Sequence, residues 1–572
     1  MDRKRPLSEL DKAQHDWRTE AATAVLSGSL SAVACSSLVL KAQLDGAKGA
    51  EHLARAGKSG EHPGNASRDI RRCLMKGSLW PKFYYADIPV WDPKLEVMTE
   101  KSHPFLLPHE WLLKAKSICN MEAYSVKDGN QSILKHMQQV AAGLNCPVAD
   151  FTPLGLHCDG VPFGSQVFYQ DSLELFTLNL PCGPGTGMRI PFTSCQKSHL
   201  VKHDTYNAIL GILAWSLKML AVGTLPSTRH DGSPFGQGEQ HRAAMAEKAA
   251  KPGSDVQPAR ALLVEIRADW VALKQVFQFP QQNENAGICW MCYAKPADIR
   301  DCSESASWRT NRRTAMSFHV ELREAGKQCP LWSAPGCSSS IVVVDWLHCC
   351  DIGVAADVLG NVLWELLDLF PGGDRNVRMA ALWSAVQVEY RTADVPRSNR
   401  FPGLRVKSFH NGKKSPKLKG KAAHIRGLVP ILDRIVQRVM VAPDTHSQTV
   451  ATCMHHLATC YSCIDIFNAQ VLATAARKMA LLYCSLEKEM IGMGFPKKWK
   501  VKPKLHLFLE LCFFLCLQRQ MGNPRDFWTY ADETNGGTMK RIAVRRGGKN
   551  SSASSAYRML SFWVAQTDLA RL

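Results

Sequence analysis

Acidic residues are the scarce class in this chain. It carries 51 Asp and Glu against 70 Lys and Arg, a formal net charge of +19 over 572 residues. That imbalance argues against cationic substrates and points to a polyanionic partner, of which nucleic acid is the commonest. Long apolar runs are rare as well. Residues 21–40 are diluted by Ser and Gly, and residues 507–517 are too short for a bilayer and are broken by Glu510. Asp2, Glu9, Asp11, Asp16 and Glu20 precede the first run, where a signal or transit sequence would avoid acids. No membrane partner is therefore expected. Gly183-Pro184-Gly185-Thr186-Gly187 is not followed by Gly-Lys-Ser/Thr, which excludes a P-loop and leaves a turn. The 20 cysteines are scattered with no signal peptide, so reduced thiols in the cytosol or nucleus are expected rather than a disulfide framework. An N-terminal zinc-finger or helix-turn-helix reader of DNA is missing too.

What is present centres on Pro153-Leu154-Gly155-Leu156-His157-Cys158-Asp159-Gly160, a short apolar strand that stops on a carboxylate before a Gly turn. Strand-like runs follow at Ser165 to Gln170 and Ser172 to Leu180, rich in Val, Phe, Tyr, Leu and Thr. Thr205 to Val222 then has Ile209, Leu210, Leu213, Leu217 and Leu220 near helical spacing. A fourth strand, Ala261 to Ala268, runs into Asp269. Strands end in Asp for turn and capping reasons alone. Three strands, a helix and a fourth strand, with Asp closing the first and the fourth, is nevertheless the order of a ribonuclease-H-like α/β core. Such a core sets two acids side by side to hold divalent metal for phosphoryl transfer.

The rest divides by composition. Residues 1–70, charged and then rich in Gly, Ala, Lys and Ser, read as a disordered tail. Residues 71–150 carry Trp and Pro punctuation and a helix with Ile133, Leu134 and Met137, and read as an accessory region. Residues 151–350 are the core with its Cys-rich loop. Residues 351–520 read as a large all-helical insertion, with helices at Val354 to Phe370, Ile425 to Val441, Thr452 to Gln470 and Leu472 to Met493. Residues 521–572 return to the core.

Further candidates lie along this frame. Cys289-Trp290-Met291-Cys292 has the spacing of half a zinc site, and Cys302, Cys329, Cys337 and His319 are the nearby candidates to complete it. Ile341 to Val344 reads as a strand ending on Asp345, and the spacing to His348 also suits a helix N-cap with a packed His. Lys407, Lys413, Lys414, Lys417, Lys419, Lys421 and Arg426 form a basic stretch, broken by Gly412 and Ser415-Pro416, that suits a flexible phosphate-contacting loop. Lys540, Arg541, Arg545 and Arg546 follow Glu533, where they could hold substrate phosphates.

Ala268-Asp269-Trp270, Phe277-Gln278-Phe279, the Cys-x-x-Cys, Asp345-Trp346-Leu347-His348 and Asn523 to Glu533 together resemble the DDE transposases of eukaryotic cut-and-paste elements. The chain is most similar to the CACTA (En/Spm-type) group, in particular the transposase-like proteins of dinoflagellate genomes. The resemblance implies that Asp159, Asp269 and Glu533 hold two magnesium ions, and that Asp345 and His348 support the site. Asp345 stands as the substitute third acid should Glu533 prove remote. It further implies a nuclear, homo-oligomeric protein that cuts DNA at transposon ends and joins the 3′-hydroxyls to target DNA. A domesticated or inactive copy that binds DNA, or a nuclease without strand transfer, remains the alternative.

Overall fold

The computed structural model describes residues 21, 24–25, 29–47, 51–77, 80–118, 121–126, 130–163, 171–183, 188–279, 287–327, 329–410, 414–440, 444–544 and 551–567. Two helices, α1 (Ala32–Leu44) and α2 (Pro63–Gly77), fall within the stretch expected as a tail. Cys35, Val39, Leu53 and Ile70 give that stretch a small apolar cluster of its own. The tail expectation is thereby confined to residues 1–20, which lie outside the described residues.

An antiparallel hairpin follows, β1 (Tyr84–Asp92) with β2 (Val97–Phe105), then α3 (Pro108–Ile118) and α4 (Gln131–Gly143). The described residues next form a mixed sheet of four strands, β3 (Phe151–Phe163), β4 (Asp171–Asn179), β5 (Ile190–Gln196) and β6 (Arg260–Ala268), in the order β5-β4-β3-β6. β3 pairs antiparallel with β4 and parallel with β6, and β4 pairs antiparallel with β5. The crossover from β5 to β6 is the long helix α5 (Lys202–Val222), which buries Ile209, Leu210, Leu213, Leu217 and Leu220. Apolar enough by composition to cross a membrane, it is packed on the sheet instead.

Both faces of the sheet are covered, which is why β6 reads as a continuous apolar run. Leu262 and Val264 meet Ile133, Met137 and Ala141 of α4, and Leu263 and Ile266 join the larger core. The register slips at a bulge between Leu154 and Gly155. A Cβ on Gly155 would fall 2.5 Å from Asn179 Oδ1 and 2.6 Å from Glu265 Oε1, so only glycine fits beside these buried polar groups.

Three strand expectations are corrected. β3 does not stop at Asp159 but continues to Phe163, opposite Asp171. The third strand of the sheet is Ile190–Gln196, whose Pro, Thr, Ser and Cys gave no β-branched run to read; Ser165 to Gln170 lies outside the described residues. Ile341 to Val344 forms no strand beyond a single parallel bridge, Ile266 with Val342. Its chain turns instead through a 3₁₀ segment, Ser339–Ile341.

After Asp345 the chain is helical. A π-helical segment, Leu347–Ala355, runs into α6 (Ala356–Leu366), followed by α7 (Arg375–Thr392), α8 (Ala422–Val439), α9 (Thr445–Asp465) and α10 (Ala469–Gly492). α11 (Pro503–Leu509) continues into a second π-helical segment, Glu510–Gln518. The chain then returns to the sheet as α12 (Tyr530–Val544) and α13 (Ser552–Gln566). α13 covers the β5 edge, with Ser552 Oγ accepting from Gln196 N at 3.0 Å.

α12 is fixed to the sheet by charge. Asp532, 2% exposed, accepts from Arg189 through both Nε and Nη2 (the latter at 3.1 Å), and Arg267 Nη1 lies 3.6 Å from its Oδ2. Burial opposes ionisation here, but His157, Arg267 and Arg189 outweigh it and hold the carboxyl below the usual range. Asp532→Ala would strand these guanidinium groups away from water, and should lower unfolding stability by about 3–5 kcal/mol. Urea denaturation at neutral pH measures this. Because the folded pKa is depressed, the Asp532 contribution is present above the ordinary aspartate pKa and is lost as pH falls below it.

Candidate active site and metal centre

Parallel pairing of β3 with β6 runs as far as Cys158 with Ala268, so Asp159 and Asp269 follow side by side at one edge of the sheet. Asp159 Oδ1 accepts from Gly160 N at 2.8 Å. Asp269 caps the short helix Trp270–Gln275, its Oδ1 accepting from Ala272 N at 2.7 Å. Glu533 arrives in the first turn of α12. With Asp532 turned into the sheet, the next residue is rotated about 100° round the helix and leaves that face. Its carboxyl is pushed up to about 7, by burial first and then by the adjacent charge of Asp159. His348 Nε2 lies 3.5 Å from Glu533 Oε1.

Asp345 is brought close but is fully engaged. Oδ1 accepts from Leu347 N at 3.2 Å and Thr529 N at 2.9 Å. Oδ2 accepts from His348 N at 2.8 Å, His348 Nδ1 at 2.7 Å and Thr529 Oγ1 at 2.8 Å. With so many donors on two oxygens, Asp345 anchors His348 and the start of α12, and Glu533 is the more open carboxylate of the two. Burial alone would lower the His348 pKa, but the hydrogen bond and charge of Asp345, with Glu533 and Asp159 behind, raise it to about 9. The ring is therefore an imidazolium at neutral pH.

Sequence reasoning missed Glu174. It lies on β4 opposite Gly160, is buried, and is pushed up to about 7, by burial first, against the pull of Lys197 and with the charges of Asp159 and Asp269 adding. A lone carboxylate inside the apolar run Leu173-Glu174-Leu175 was the available signal.

The basic residues fall into two sets. Arg426 lies inside α8 rather than on a loop, with its guanidinium 4.6 Å from the Trp528 ring centre and 3.6 Å from Asp465. Lys407 sits in a 3₁₀ turn, Val406–Ser408, and Lys414, Lys417, Lys419 and Lys421 follow before α8, where Lys417 N donates to Phe409 O at 2.7 Å and Lys419 N to Ser408 O at 2.8 Å. Lys540 and Arg541 continue α12, seven and eight residues beyond Glu533 and so on its face of the helix. Lys413, Arg545 and Arg546 lie outside the described residues, as do Pro184 to Gly187 of the glycine-rich turn.

A second cluster lies behind the first site. Cys289 and Cys292 meet His506 and Glu510, all buried, with ligand atoms within 4.8 Å of one another. Cys292 Sγ is 3.3 Å from His506 Nε2, and Cys289 Sγ is 3.8 Å from Glu510 Oε1. The nearby candidates do not complete the set. Cys302 pairs with Cys484 at 3.9 Å, and Cys329, Cys337 and His319 are not members of the cluster. The partners come instead from an i, i+4 pair on α11 and its π-helical continuation, far along the chain. Arg312 holds Glu510 with bonds of 2.9 and 2.8 Å. Burial would raise the Cys289 thiol, yet the hydrogen bonds of Cys292 and His506 bring it down, which favours the thiolate a metal ligand needs. Among the described residues this is the group of potential ligands gathered that tightly; Asp159, Asp269 and Glu533 are spread more widely.

Comparison with family models and with curated proteins finds no match for this chain.

The Asp345–His348 pair yields a direct test. Its contribution to stability is full below pH 6.5 and is lost as pH rises towards about 9, since the folded pKa is the raised one. Asp345→Asn should return the His348 titration, followed by NMR, towards or below 6.5. An unmoved titration would show that another group holds the proton.

Proposed function

We propose that this protein is a DDE-type DNA transposase, or a descendant of one, built on a ribonuclease-H-like core. The observation that carries the reading is the meeting of Asp159, on a central strand, with Glu533, from a helix that returns after a long helical excursion. The strand order β5-β4-β3-β6, with one parallel neighbour to β3, supports the ribonuclease-H-like assignment. The CACTA-type resemblance supports the substrate: DNA at element ends, cut and then joined to target DNA in the nucleus by a homo-oligomer.

The donor set suits magnesium, a hard cation that prefers carboxylate oxygen. Asp159, Asp269 and Glu533 would hold it, and it would activate water or a 3′-hydroxyl and stabilise the leaving oxygen. The chain's own groups do the rest. Asp345 and Thr529 fix His348, whose positive charge faces Glu533. Lys540 and Arg541 extend cationic charge along the same helix face. The second cluster fits zinc in a structural role, with two sulfurs, an imidazole and a carboxylate. A copy that holds DNA without cutting it is the second reading, favoured by Asp269 being engaged as a helix cap.

Two outcomes test this. Glu533→Gln should reduce magnesium-dependent cleavage of supplied ends by about 10²-fold or more while DNA affinity stays within about twofold. Normal cleavage by that variant together with a dead Asp345→Asn would pass the third role to Asp345. Purified protein should carry about one zinc per chain, and Cys289→Ser should lose most of it and melt earlier. Metal-free protein that melts unchanged would end the zinc reading.

A further inference from the structure

A cavity of about 590 Å³ opens between the loop that follows Phe409 and the segment that leads into α11. Lys414, Lys417 and Lys419 line it from one side, Lys497, Lys500 and Lys502 from the other, and among the described residues no carboxylate lines it. Acids stand behind the wall: Asp357 is bonded to Lys502 Nζ at 2.6 Å, and Glu487 accepts from Val501 N at 2.8 Å. Lysines on a mobile loop would spread apart to relieve their mutual repulsion. Here the backbones that carry them cannot part, because both segments are pinned to α6. Leu418 N donates to Ala356 O at 2.8 Å, and a Cβ on Gly360 would come within 2.5 Å of Lys417 Cα. On the other side Trp499 is fully buried, its N donating to Asn361 Oδ1 at 2.9 Å and its indole N–H to Glu365 Oε1 at 2.6 Å. The fold thus gathers cationic side chains around a concave space, where a bound anion lowers their mutual repulsion.

We propose that this cavity binds a cluster of phosphate groups. Its size falls in the range of sites that enclose a compact ligand, and lysines line it from opposite walls. A duplex is a convex cylinder that touches lysines on ridges, whereas a bowl takes a small polyphosphate or the phosphates of a single strand. Burial lowers the proton affinity of Lys417 against the pull of Asp357, as expected for an ammonium partly withdrawn from water. Lys504, beyond the cavity, donates to His348 O at 2.7 Å, so the site adjoins the acids without sharing their residues. The inference stands whether or not those acids cut DNA.

Sodium tripolyphosphate is the probe, titrated calorimetrically into the full chain without added magnesium. The wild type should bind it. K419Q/K497Q/K500Q removes three exposed ammonium groups and should weaken binding by roughly tenfold, with an unchanged melting curve. K94Q/K101Q/K116Q makes the same change of net charge elsewhere and should leave the affinity as it was. A labelled single-stranded oligonucleotide then separates the sources. Displacement by tripolyphosphate assigns the site to strand phosphates, and binding of both together assigns it to a free polyphosphate. No uptake of tripolyphosphate, or equal loss in both triple variants, overturns the proposal. Cleavage is not read, so inert acids would leave this result standing.

Discussion

Asp532 has almost no exposed surface, yet it carries charge, because Arg189 just before β5 and Arg267 on β6 converge on it with His157 nearby. A carboxylate buried this deeply is tolerable only while paired, so the ion cluster fixes the rotation of α12 as well as its position. Once Asp532 points into the sheet, Glu533 must point away from it, towards Asp159 and His348. One buried charge thereby sets where its neighbour goes, and adjacent acids in the sequence come to lie in different surroundings.

The start of α12 is held by further contacts of the same kind. Thr529 bonds Asp345, and Tyr530 bonds Asp351 at 2.7 Å. Asp351 also accepts from Tyr461 at 2.6 Å, and Tyr461 belongs to α9. A fully buried carboxyl therefore ties the helical region to the helix that brings Glu533. Burial pushes Asp351 up to about 7 despite the tyrosine hydroxyls that favour its charged form. Two π-helical segments begin beside the sites, one at Leu347 next to His348 and one at Glu510. The wider turn re-aims side chains within an otherwise regular helix, which is why such segments recur where chemistry is placed.

Much of this was legible from periodicity. The strand through Leu156 and Cys158, the helix Lys202–Val222 and the strand Arg260–Ala268 follow from apolar spacing, and their order brought Asp159 and Asp269 to one edge. β5 was not legible, because Ile190–Gln196 is buried by α13 rather than by its own composition. The strand at Ile341 to Val344 was read wrongly, since its apolar residues fill the core from a 3₁₀ turn and a single bridge. His506 and Glu510 were visible as helix residues but not as partners of Cys289 and Cys292, because no local pattern encodes a contact across the fold. Glu174 and the lysines 497, 500 and 502 escaped for the same reason.

The central claim is that rotation of α12 sets Glu533 beside Asp159 as a shared metal-holding pair. A crystal structure of the protein soaked in manganese, read from anomalous scattering, tests it most directly. The account predicts a manganese peak bound by both Asp159 and Glu533, with Asp532 still on its arginines. Manganese held by Asp345 instead, or absent from the Asp159 edge altogether, would contradict it.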